Sequence, residues 1–129
     1  MAIVVFTFLT APLLSHHTMA VYDQTTLISI KGVVSKIEWR NPHSWITLTV
    51  TNADGKTVAQ QIEIAGPRDL MERGFDRTAL QIGQTVTLDS CMPKNPGLNG
   101  QPIGRMLILA DGRRFDVSET NWLATAPLR

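Results

Sequence analysis

Two of the chain's three histidines stand side by side, His16 and His17, and the third is His43. Imidazole carries protons near neutral pH and ligates transition metals, so the placement of these residues bears directly on chemistry. The pair follows MAIVVFTFLTAPLLS, residues 1–15, a run with no charged side chain. A run this short does not cross a bilayer as a helix and fits the apolar region of an export signal. Ser15 is a small residue of the kind that precedes a signal-peptidase cut, although Leu13 is bulky for its place and no Lys or Arg comes before the run. Cleavage after Ser15 makes His16 the N-terminal residue. The competing reading of the run is a buried first strand.

An N-terminal histidine offers its α-amine and its ring Nδ1, and an imidazole from elsewhere completes a set suited to copper. The sequence therefore nominates His16, His17 and His43 as metal ligands, with copper as the favoured cofactor. His43 is placed at the start of a strand, on the rim of the fold, where a histidine contributes little packing. Its removal is then expected to weaken metal binding while leaving the metal-free fold nearly unchanged. The plainer reading has His16 and His17 in a terminal tail and His43 capping a turn between Asn41 and Ser44. Met19, Met71, Met92 and Met106 are read as core filler rather than as a Cu(I) set.

Catalytic motifs are not found: the sequence holds no G-x-S-x-G, H-E-x-x-H or P-loop. Asp69, Glu72 and Asp76 read as a solvated helix and turn, and the expectation is a non-catalytic protein. The formal net charge is +1, with no dense Lys/Arg stripe, so nucleic acid is not an expected partner. The alternative function is a binding module for a small ligand or protein, using Trp39, Arg40, Trp45 and Arg68 as a stacking surface. The single Cys91 has no partner for an internal disulfide and reads as a buried apolar residue.

The positioning elements are mostly strands. LISIKGVVSKIEW, from Leu27, is β-branched with an internal Gly32 that marks a bulge or bend. SWITLTV alternates Ile46, Leu48 and Val50 against Trp45, Thr47 and Thr49. A hairpin at Asp54-Gly55 leads into TVAQQIEIA, with Val58, Ile62 and Ile64 inward. GPRDLMERGF predicts one short helix near Pro67 to Arg73, begun by Pro67, ended by Gly74, with Leu70 and Met71 facing inward. A turn at Gly83, a fourth strand carrying Val86 and Leu88, a loop over residues 93–102, a fifth strand and a last hairpin at Asp111-Gly112 complete the chain. This order predicts an all-β, small OB-like Greek-key barrel of five to six strands with one short helix between strands three and four.

These fragments resemble a known family. The boundary before HHT, then LISIKGVVSKIEWRNPHSWITLTV, GPRDLMERGF, IGQTVTL and LADGRR, look like the small exported bacterial proteins of the domain of unknown function 6152 family, over about His16 to Phe115. Its pattern of a histidine pair, W-x-N-P-H with an aromatic two residues on, and R-G-aromatic falls on His16 and His17, on Trp39, Asn41, Pro42, His43 and Trp45, and on Arg73, Gly74 and Phe75. The chain departs from it at Ser15, at Cys91 and Met92, and in a longer following loop. The resemblance implies export and a small β fold but assigns no activity. The expected layout is a cleaved signal over 1–15, an arm over 16–26, the β domain over 27–117 and a tail over 118–129. The mature protein is expected to be periplasmic or secreted, with no stable membrane span after cleavage.

Overall fold

The computed structural model of the chain describes residues 22–94 and 100–119. His16 and His17 lie outside the described residues. Six strands and one helix follow in order: β1 Tyr22–Glu38, β2 Ser44–Thr51, β3 Thr57–Ile64, α1 Pro67–Glu72, β4 Thr85–Pro93, β5 Ile103–Leu109 and β6 Arg114–Asp116. They form one sheet in the order β3-β2-β1-β4-β5-β6, antiparallel between neighbours. A parallel bridge between Glu63 of β3 and Ile103 of β5 joins its two sides into a ring of strands. The predicted all-β class and the single helix between the third and fourth strands are therefore present.

Closing a ring with so few strands requires β1 to serve two partners. Leu27 to Val33 pair with β4, and Val33 to Glu38 pair with β2. The exchange occurs around Gly32, where a Cβ would lie 2.7 Å from the Thr49 carbonyl oxygen. Gly32→Ala is expected to cost about 1–3 kcal/mol, because the obstacle is backbone and cannot rotate away. A lowered urea midpoint checks this; an unchanged midpoint would mean that β1 and β2 separate freely.

Ile46, Leu48, Ile62, Ile64, Val86 and Leu88 are buried in one core with Phe75, Leu107 and Leu109, and Val50 packs against it half-buried. The predicted register of β2 is therefore correct. Val58 departs from expectation: it is exposed, although its parity matches Ile62 and Ile64. It lies at the hairpin end of β3, opposite Val50, where an inward side chain no longer has the core beneath it.

Six residues are too few to hold a helix in isolation, so α1 depends on its ends and on tertiary packing. Pro67 opens it, and Gly74 takes a positive φ of 84° just past its end. The Gly74 amide donates to the Met71 carbonyl and the Phe75 amide to the Leu70 carbonyl, which is the Schellman closure. Leu70 and Phe75 are fully buried. Met71, expected inward beside Leu70, is instead exposed, because so short a helix buries only one narrow stripe. Phe75 meets Trp39 at 5.6 Å and Phe115 at 5.2 Å between ring centroids.

Candidate functional site

His43 follows a cis Asn41-Pro42 bond and immediately precedes β2. The turn is held by the Ser44 amide, which donates to the Ala65 carbonyl. It presses so closely on Gly66 that a Cβ there would lie 2.6 Å from the Pro42 carbonyl oxygen. The W-x-N-P-H fragment and the GPR fragment are thus two sides of one contact, which aims His43 along the start of β2.

Glu63 sits between Ile62 and Ile64 on β3, so alternation turns it away from the core. It lies at the seam of the ring, with its amide donating to the Pro102 carbonyl and Trp45 opposite it on β2. Glu119 is brought in by the segment that follows β6. There the Ala65 amide donates to the Val117 carbonyl and the Val117 amide to the Arg105 carbonyl. Arg73, one residue past α1, donates from Nη1 to the Ser118 carbonyl and lies 3.6 Å from an Asp116 carboxylate oxygen. The R-G-F fragment therefore has three separate tasks: Arg73 ties down the segment after β6 that carries Glu119, Gly74 closes the helix, and Phe75 fills the core.

These elements bring three ligand-bearing side chains together. His43 Nδ1 lies 2.6 Å from Glu63 Oε1, where a ring N–H donates to the carboxylate, and 3.4 Å from Glu119 Oε1. Ligand atoms from His43, Glu63 and Glu119 all fall within 4.8 Å of one another. The carboxylates are enclosed, with side-chain exposures of 4% for Glu63 and 9% for Glu119, while His43 keeps 27%. One nitrogen with two carboxylate oxygens is a donor set that divalent transition metals accept.

His43 thus faces the carboxylates of Glu63 and Glu119. Glu63 and Glu119 escaped notice in the sequence. A glutamate between two inward isoleucines reads as ordinary surface, and Glu119 falls in what was expected to be a tail. Nothing local signals that the post-β6 segment folds back over the seam.

Trp39 lies on Phe75, with the Arg77 guanidinium 5.3 Å from its ring centroid. Arg40 is exposed and 3.5 Å from Glu38 Oε1, and Arg68 pairs with Glu72 across one helical turn at 3.1 Å. Trp45 is half-buried between Glu38 and Glu63 in the strand register.

A family model described as "Family of unknown function (DUF6152)" matches residues 5–102. No curated protein and no solved structure matches the chain. Among the described residues no helix is long and apolar enough to cross a membrane.

Proposed function

We propose, since the chain belongs to a family of unknown function (DUF6152) and its chemistry must be read from its own site, that the protein binds a divalent transition metal through His43, Glu63 and Glu119, without catalysis. The observation that carries this reading is the convergence of one imidazole and two enclosed carboxylates from β2, β3 and the segment after β6. Cu(II) is favoured, because it heads the affinity order for nitrogen and oxygen donors. The apolar leader supports export to the periplasm or the exterior. Cleavage after Ser15 would add the amine and imidazole of His16, and His17, as further ligands.

The 2.6 Å contact between His43 and Glu63 favours a second arrangement of the same site. There the Nδ1 N–H donates to Glu63, which orients the ring and leaves Nε2 as the nitrogen that would meet the metal.

Calorimetric titration of Cu(II) into the full chain and into a chain beginning at His16 tests the reading. Binding should strengthen from about pH 5 to 8, since imidazole and amine ligands release protons to the solvent when they ligate. Glu119→Gln should weaken it by about 10- to 100-fold. Unchanged affinity in Glu119→Gln, or no binding by the unsubstituted chain, would remove the proposal. A gain in the chain beginning at His16 that is lost when one residue is added before His16 assigns a part to the arm.

A further inference from the structure

On the outer side of β4 and β5, Cys91 and Ile103 form a small buried cluster with Leu27 packed on it, apart from the main core. Arg105 joins it because of an irregularity in pairing. Asp89 pairs with Met106 and Ser90 with Gly104, which leaves Arg105 as the extra residue of β5 at that step. Gly104 faces the main core, where a Cβ would stand 2.9 Å from Ile64 and from Leu88. Arg105 instead directs its Nε to Cys91 Sγ at 3.5 Å.

Arg105 has 0% exposure, and neither Nη1 nor Nη2 has a hydrogen-bond acceptor among the described residues. A guanidinium stays charged at any pH a protein meets, and a buried cation without an acceptor is costly. The guanidinium thus has its Nε on sulfur and two nitrogens without an acceptor.

We propose that Cys91 is a reversible oxidation site, at which hydrogen peroxide or another hydroperoxide converts the thiol to a sulfenic acid whose oxygen is held by Arg105. An S–O bond forms as the peroxide O–O bond breaks. Sulfur loses two electrons, the peroxide is reduced, and the thiol proton leaves in the water or alcohol released. The new oxygen supplies the acceptor that Nη1 and Nη2 lack, in a charge-assisted hydrogen bond. Reagent reaches Cys91 through opening of the strand end, since Cys91 lies two residues before Pro93, where β4 stops. The hydrogen bonds from Arg105 then hold the product against further oxidation.

The full chain is treated with hydrogen peroxide, and peptide mapping follows Cys91 with a sulfenic-acid trap and with dithiothreitol. Cys91 should gain one oxygen, react with the trap and return to the thiol on reduction. Arg105→Leu should lower the yield of trapped sulfenic acid by about tenfold, the worth of a hydrogen bond to a charged group, and shift product towards sulfinic acid. If Arg105→Leu does not fold by circular dichroism, Arg105→Lys, which keeps the charge but loses the fork, is compared in its place and should show the same direction of change. The proposal is overturned if Cys91 of the folded chain stays unoxidised under peroxide that oxidises the urea-unfolded chain. It is equally overturned if the folded Arg105 variant traps as much sulfenic acid as the unsubstituted protein.

Discussion

Replacing His43 by alanine is expected to lower Cu(II) affinity by about 100-fold or more, because it deletes the only nitrogen in the described cluster. It is also expected to weaken the metal-free protein, by about 1–3 kcal/mol, and here the structure changes the expectation drawn from sequence. A rim histidine would be dispensable to the fold. This one faces two enclosed carboxylates, and its loss leaves Glu63 without the ring that stands 2.6 Å from it. The double variant His43→Ala/Glu63→Gln separates the two effects. It should recover stability, since a neutral amide is cheaper to enclose than an unpaired carboxylate, and should remain deficient in metal binding. Urea denaturation without metal and calorimetry with Cu(II) read the two quantities independently. Undiminished Cu(II) affinity in His43→Ala would place any metal elsewhere in the protein.

Phe75→Ala carries the largest expected loss of stability, about 3–5 kcal/mol. Its side chain is fully buried, touches Trp39 and Phe115, and follows the closure of α1 directly. The substitution opens a cavity and loosens the end of the helix, which has few other means of staying folded. The effect should extend to the site. Arg73 lies two residues before Phe75 and holds the Ser118 carbonyl next to Glu119, so metal affinity should fall as well. Phe75→Leu, which keeps most of the apolar volume, should lose less on both counts. A stability loss below about 1 kcal/mol in Phe75→Ala would show that the aromatic cluster contributes little beyond its neighbours.

Local sequence determined those features of this protein that depend on a few adjacent residues. Alternation in SWITLTV and QIEI set the inward faces of β2 and β3, because a strand repeats every two residues and one face must be dry. Glycines at 55, 74, 83 and 112, all with positive φ, placed the turns, because side chains disfavour that backbone region. Pro67 and Gly74 bounded the helix for similar reasons, and His43 stood out because so few residues of its chemistry are present. Tertiary structure decided what local pattern cannot carry. Val58 and Met71 are apolar and in phase or adjacent to buried neighbours, yet they meet water, because burial depends on where the core ends. Glu63 and Glu119 lie far apart in sequence, and only closure of the ring at Glu63 and the return of the segment after β6 enclose them beside His43. Arg105 reaches Cys91 through one extra residue in a strand pairing, a register event set jointly by β4 and β5 and absent from either strand read alone.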